Sequence, residues 1–424
     1  MRKKITITKP YVKEYDDKAR LESIIKGTDF EKSFYFEVDI KYKKFLCYER
    51  SDAFLMGLMY FALVNEYDIV CEAPLSEKLY YQLTDAYIPT VVKNDPEMFN
   101  HITITAELDS KPIKNEGAVG ASVSGGVDSF YTIVKNLNRQ TASYNITHLV
   151  LTNCFNIYFD DDDTRKRFEE LSVSGEKIAN ELGLPFIKIY TNEHMFWFPH
   201  FVNLYCMRYC ALPYALQKLF AVYDYSSSFQ FDEFSFVSGN KSSSHYDSFS
   251  VHLISDENLT IYSSGGEASR AEKAEYIADN VVVQNNLQVC NMQHDNCSVC
   301  EKCLRTMFNF YACNKLEHFG NVFDLEQFYK NKNSVLVEML ARKGDYDKET
   351  LNMMKKNGVL IPFRVKRMGE IKHLVFMIKQ QLKKIKLVYY IVKKVKSNSD
   401  SIVNKSERYN LDHDFAKRCD PNII

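Results

Sequence analysis

Apolar and polar positions along the chain change period several times, and each change marks an expected element. Phe34 to Ile40 and His101 to Thr105 alternate one residue in two, the period of a strand with one buried face. Between them Ala53 to Val64 is apolar nearly all round and reads as a buried helix. It opens after Ser51-Asp52, which can cap it. Asp68 to Cys71 reads as a short apolar strand and Ser76 to Asp85 as a second helix. Together these predict a small mixed α/β module over residues 1–112, without a chemical motif.

From Gly117 the pattern becomes strand, then helix, repeatedly. Ala118–Val123, His148–Leu151, Phe186–Tyr190 and Phe234–Val237 read as strands, and Asp128–Leu137 and Ser172–Leu182 as helices. This alternation predicts an α/β fold over residues 113–320, a parallel sheet covered by helices. Ligands of such sheets sit at the carboxyl ends of the strands. Residues 321–424 read as a helical extension. Within it, Arg364 to Lys396 holds roughly eleven Lys and Arg against one acid, interleaved with Leu374, Val375, Phe376, Ile378, Leu382, Ile385 and Leu387. The plain reading is a solvated helix packed by its apolar face. RNA or an anionic membrane are the partners this charge would suit.

Charge and cysteine content narrow the chemistry. A net charge of −1 means the whole molecule is no electrostatic trap for nucleic acid or membrane. The first eight residues alternate and lack an apolar run, and no eighteen-residue apolar stretch is free of charge. A cytoplasmic protein is therefore expected. In a reducing compartment eleven Cys point to metal binding or thiol chemistry before disulfides.

The string Ser124-Gly125-Gly126-Val127-Asp128-Ser129 follows an apolar strand and opens a helix. Two glycines let backbone approach an anion and adopt dihedrals that a Cβ forbids. The helix start supplies unpaired N–H groups and a positive dipole end. Ser124 and Ser129 add hydroxyls, and Asp128 could cap the helix or hold Mg²⁺. The bland alternative is a glycine turn capped by Ser and Asp. No Gly-Lys-Ser/Thr follows, so this is not a Walker loop.

A second constellation is Cys290, Cys297, Cys300 and Cys303, spaced by six, two and two residues. Three thiolates at such short gaps can fold round one ion and a fourth closes a tetrahedron, which suits a structural Zn²⁺. Lys302 and Arg305 could offset the surplus negative charge. An iron–sulfur cluster and four independent reduced thiols stay open as alternatives, and His294 could substitute as a ligand.

The Ser124–Ser129 string resembles the Ser-Gly-Gly-x-Asp-Ser signature of the pyrophosphatase-loop (PP-loop) superfamily. With the late cysteine cluster, the middle region resembles 7-cyano-7-deazaguanine synthase-like proteins. The resemblance implies an adenine nucleotide α-hydrolase-like fold that binds ATP with Mg²⁺ and cleaves it to AMP and pyrophosphate. It implies a structural zinc as well. It covers neither residues 1–112 nor the basic tail, and the family's aromatic-rich substrate loop has only a loose echo in Lys241 to Asp247. The deazaguanine substrate is therefore not carried over.

The expected activity is adenylation of a carboxylate or carbonyl oxygen of an unidentified small molecule, followed by displacement of AMP by ammonia or another nitrogen nucleophile. Ser124, Asp128, Ser129, Lys241, Arg270 and Lys273 are the expected catalytic residues. The 124–129 loop with Asn153 and Gly239 is expected to bind the nucleotide, and His245 and Asp247 to orient substrate. Asp160 to Asp163 reads as a solvated acidic run capping the Thr164 helix. Cys206 and Cys210, one turn apart, read as core, with a persulfide-carrying pair as the sharper alternative. That pair and the basic tail motivate a tRNA-thiolating enzyme as the rival activity. A nucleotide-binding sensor without turnover is a third reading, and a homodimer is a further expectation.

Overall fold

The computed structural model describes residues 3–154, 161–197, 205–238, 242–290 and 295–384. Thirteen strands are present among them: β1 (Lys3–Ile7), β2 (Tyr11–Tyr15), β3 (Lys18–Lys26), β4 (Glu31–Asp39), β5 (Tyr67–Cys71), β6 (Leu75–Ser76), β7 (Ile104–Thr105), β8 (Leu108–Asp109), β9 (Ala118–Ser122), β10 (His148–Thr152), β11 (Phe186–Thr191), β12 (Phe220–Ser226) and β13 (Thr260–Ser264). All but β6 and β8, which pair with each other, join one sheet in the order β13-β12-β9-β10-β11-β4-β3-β1-β5-β7, with β2 beside β3. The fold is thus α/β, a mostly parallel central sheet flanked by helices, as the strand–helix rhythm predicts. The run β13-β12-β9-β10-β11 is parallel throughout.

The sheet crosses the boundary expected near residue 112. Strand β11 pairs antiparallel with β4, Tyr190 opposite Glu37 and Thr191 opposite Phe36. Asn192 extends the join, accepting from Tyr35 N at 2.9 Å and donating to Ser33 O at 2.8 Å. A buried Arg50 makes a second tie. Its guanidinium donates to Asp109 and to Lys111 O, and it lies 3.9 Å from both Asp52 and Asp256. Burial beside Asp256 raises the Asp52 carboxyl to about 8. The chain divides into two compact units, Met1–Asn296 and Cys297–Ile424.

Two strand expectations change. Phe234–Val237 is not a strand. Phe236 instead packs on Tyr246 and Phe249, and Ser235 N bonds His245 O. The fourth parallel strand is Phe220–Ser226, whose Tyr223 fills the space left by the missing side chain of Gly120 in β9. A Cβ there would lie 2.8 Å from Tyr223 and Phe220. His101–Thr105 shortens to Ile104–Thr105. The Asp52–Asn65 helix matches its expectation and is apolar all round because it is buried almost throughout. Ser51 makes no cap there; its hydroxyl lies 3.4 Å from Ala73 O. On this helix Gly57 admits Phe34, which packs on Phe36, Phe54 and Phe196 with ring centroids 5.1–5.3 Å apart.

The second unit is helical in its described part: Glu301–Ala312, Leu325–Arg342, Asp345–Lys356 and Phe363–Lys384, with a short turn at Leu316–Phe319. Its core stacks Phe310 on Phe319 and packs Phe308 against Phe328 at a tilt of 60°. No described helix is long and apolar enough to cross a membrane.

Phe34 is fully buried at the centre of its aromatic cluster. Phe34→Ala is expected to lower unfolding free energy by about 3–5 kcal/mol, through lost transfer energy and a cavity, as read by urea denaturation. The half-exposed Tyr48→Ala, within about 0.5 kcal/mol, is the control.

Candidate functional site

Parallel pairing places five carboxyl ends on one edge of the sheet. Strand β9 leads into Ser124-Gly125-Gly126, β10 into Asn153 and Cys154, β11 into Asn192 and Glu193, β12 into Ser227, and β13 into Gly265-Gly266-Glu267. β10 and β11 lie to one side of β9, and β12 and β13 to the other. The glycine loop therefore opens at the switch point, where doubly wound sheets bind ligands.

The loop is held by its own backbone. Gly125 has φ +74°, a left-handed conformation, and its carbonyl accepts from Gln288 N at 2.8 Å. A Cβ on Gly125 would lie 3.1 Å from Cβ of Gln288, so this contact is a close approach as well as a bond. Ser129 Oγ donates to Ser122 O at 2.7 Å and accepts from Ser124 N at 3.1 Å, which closes the base of the loop. Ser129 thus braces the turn and does not present its hydroxyl as a phosphate donor. Ser124 Oγ accepts weakly from Gly126 N at 3.4 Å. Gly126 is the N-cap of the Val127–Lys135 helix, no side chain caps it, and Val127 is buried. Asp128, expected as cap or Mg²⁺ ligand, does not cap the helix.

Its carboxylate instead receives two cations. Arg270 Nη2 lies 2.6 Å from Oδ2 and Lys273 Nζ 3.2 Å from Oδ1. Both cations come from the Arg270–Ile277 helix, started by a Ser269/Glu272 capping box. Their three-residue spacing puts them on one face. Lys273 is buried, and its ammonium also donates to Ser227 O at 2.7 Å. Gly265, at φ +95°, leaves room for it: a Cβ there would lie 3.3 Å from Lys273 Cε. Behind Ser227 lies buried Asp247, whose Oδ2 is 3.4 Å from Ser227 Oγ. Burial pushes the Asp247 carboxyl up to about 7, against the pull of Ser227 and Lys273. His245 stacks on Phe229 with centroids 3.8 Å apart.

The expected residues thus separate. Ser124, Gly125, Gly126, Asp128, Arg270 and Lys273 converge. Asn153 is taken up between strands, donating to Thr191 O at 2.7 Å and accepting from Thr191 N at 3.0 Å. Gly239, Lys241 and His294 lie outside the described residues, as does Asp160. The Asp161–Leu182 helix begins inside the acidic run. Cys206 and Cys210 are core, and burial drives the Cys206 thiol well up, which suits packing and not persulfide chemistry.

Sequence reasoning missed a buried pair at the neighbouring strand ends. Arg208 Nε bonds Glu193 Oε1 at 3.0 Å, and Cys154 Sγ donates to the same oxygen at 2.9 Å. Burial raises the Glu193 carboxyl although Arg208 pulls it down. Gln288 was missed too. No spacing rule marks it; only its place two positions before Cys290 hints at its role.

The four cluster cysteines do come together. The Sγ atoms of Cys290, Cys297, Cys300 and Cys303 all lie within 4.8 Å of one another, and Cys297 and Cys303 are 3.9 Å apart. Four sulfurs about 2.3 Å from a tetrahedral Zn²⁺ stand roughly 3.8 Å apart, so the set could hold a single ion such as zinc. Thiolates this close leave little space for a multi-iron cluster. Cys300 N donates to Cys297 Sγ and Cys303 N to Cys300 Sγ, and Cys300 caps the Glu301–Ala312 helix, whose positive end favours thiolate. Asn296 shapes the approach, accepting from Val289 N and Cys290 N and donating to Leu287 O.

No family model, curated protein or solved structure matches the chain.

Metal analysis is expected to find about one zinc per chain, and Cys303→Ser to lose it with a fall in melting temperature. Metal-free protein with an unaltered melt would exclude a structural ion. Asp247 gives a pH test. Its folded-state value of about 7 lies above the ordinary carboxyl value, so its contribution is present at low pH and is lost as pH rises towards 7 and beyond. Asp247→Asn should flatten that loss by on the order of 2–4 kcal/mol in denaturation curves taken between acid and mildly alkaline pH.

Proposed function

We propose that the chain is an ATP-dependent, AMP- and pyrophosphate-forming ligase of the PP-loop kind. The Ser124–Gly126 backbone and the start of the Val127–Lys135 helix would take the terminal phosphates of Mg²⁺-ATP. A carboxylate or carbonyl oxygen of a second substrate attacks the α-phosphorus, the bond to the bridging oxygen breaks, and pyrophosphate leaves. A nitrogen nucleophile then displaces AMP from the adenylate.

One observation carries this reading: Asp128, Arg270 and Lys273 converge on a glycine loop at the sheet's switch point. The two cations outnumber the carboxylate, so the cluster retains positive charge beside a helix N-terminus, and both favour an anion. Charge fixed in place before the reaction stabilises the developing charge on departing pyrophosphate without reorganisation. Asp128 holds both cations where phosphate oxygens would meet them. The absence of a Walker Lys beside the loop supports cleavage at the α-phosphate over transfer of the γ-phosphate. The raised carboxyl of Asp247, within reach of this charge, is a candidate proton acceptor for the incoming amine.

Pyrophosphate release from ATP, with candidate carboxylates and ammonia, is the test. Arg270→Gln should lower it by about 10²–10³-fold with the fold retained, and Asp128→Asn should lower it as far while also costing stability, since it leaves the buried Lys273 ammonium uncompensated. ADP and phosphate as products, or undiminished release in both variants, would remove the assignment.

A further inference from the structure

The Phe363–Lys384 helix has two unlike faces. Val365 and Gly369 are buried against the Leu325–Arg342 helix, where a Cβ on Gly369 would meet Leu340 at 2.5 Å. Lys372 pairs with Glu338, and His373 Nδ1 lies 2.8 Å from Ala341 O on the same side. Ile371, Leu374, Val375 and Ile378 recur at three- and four-residue spacing on the far side, where Ile371 is 65%, Leu374 61% and Ile378 50% exposed. Met368 continues this stripe and Met377 widens it. A run of large aliphatic residues left in water is costly and marks a contact surface.

Charge says what covers it. The helix carries seven Lys and Arg against the single acid Glu370. Lys379 flanks the stripe on one side and Lys366 lies on the other, so cationic ends reach past apolar ones along the same cylinder. Phosphates with no apolar layer would leave the aliphatic stripe wet, and a symmetric second copy would bring two strongly cationic helices together. A lipid surface satisfies both features, hydrocarbon for the stripe and headgroup phosphate for the bases. We propose that this helix lies in the plane of an anionic membrane, its Ile371–Ile378 face among the acyl chains and its lysines and arginines on lipid phosphates. The sequence keeps the same mix of apolar and Lys residues as far as Lys396. This inference is independent of the ligase reading.

The test is co-sedimentation of the full chain with vesicles of phosphatidylcholine alone, and of equal parts phosphatidylcholine and phosphatidylglycerol. Binding is expected only to the second, and raised salt should weaken it. Ile371→Asp with Ile378→Asp should lower the partition coefficient at least tenfold at an unchanged melting temperature, since both positions are exposed. Should that pair perturb folding, Lys366→Gln and Lys379→Gln serve in its place, each costing about fivefold, roughly 1 kcal/mol. Equal binding to both vesicles, or to neither, overturns the proposal. So does a wild type that ignores vesicles but retains single-stranded RNA, or one that ignores vesicles and is a dimer broken by Ile371→Asp.

Discussion

An ammonium with no access to water has to be neutralised where it stands, and Lys273 is such a group. Its partners are Asp128 at 3.2 Å and the Ser227 carbonyl at 2.7 Å. Removing the Asp128 carboxylate would leave a buried charge uncompensated, a loss of several kcal/mol. Meeting that requirement fixes three elements together: the helix after the glycine loop, the end of β12, and the Arg270–Ile277 helix. Gly265 sits at φ +95°, which favours glycine, and a Cβ there would crowd Tyr131 at 3.2 Å and Lys273 at 3.3 Å. The geometry of the candidate site is therefore the solution to a desolvation problem. The same solution holds Arg270 and Lys273 beside the glycine loop.

The glycine loop rests on a second strut. Gln288 meets Gly125 through one backbone bond and a close approach, two residues before Cys290. Asn296 fixes the backbone of residues 287–290 with three hydrogen bonds. An ion held by Cys290 and its three partners would stiffen the same stretch. Cys290 and the glycine loop are thus joined through this stretch of backbone.

Much of this was legible in the sequence where the signal is local. The Ser124–Ser129 string, the cysteine spacing and the Arg270–Lys273 interval each express a turn or helix geometry that a few adjacent residues determine. What was not legible depends on partners distant in the chain. Phe220–Ser226 and Phe234–Val237 are similarly aromatic, and only the space over Gly120 decides which becomes the strand. Asn153 has the amide expected of a ligand contact, but Thr191, thirty-eight residues on, takes both its atoms. Ser129 looks like a phosphate donor until Ser122 O is seen to accept its proton. In each case the residue type was right for chemistry and tertiary hydrogen bonding assigned it to architecture.

The continuation of the first hundred residues into the sheet of the middle region was not legible for a related reason. The alternation over Phe34–Ile40 predicts one buried face, whereas Phe34 to Val38 are buried without a break, and it says nothing about which edge is left to pair. β4 pairs its edge with β11, and Asn192 carries the join one residue past the strand. Arg50 then makes detachment expensive, because its guanidinium is buried and its compensating carboxylates come from both sides of residue 112. Burial beside Asp256 raises the Asp52 carboxyl, which weakens its share in offsetting Arg50. Asp109, Asp256 and Glu257 supply the remaining negative charge, and Asp256 and Glu257 belong to the loop that precedes β13. A polar cluster of this kind adds little net stability, but it discriminates strongly against any arrangement that separates its members. It holds the first hundred residues to the strand whose other end carries Gly265 and the space for Lys273.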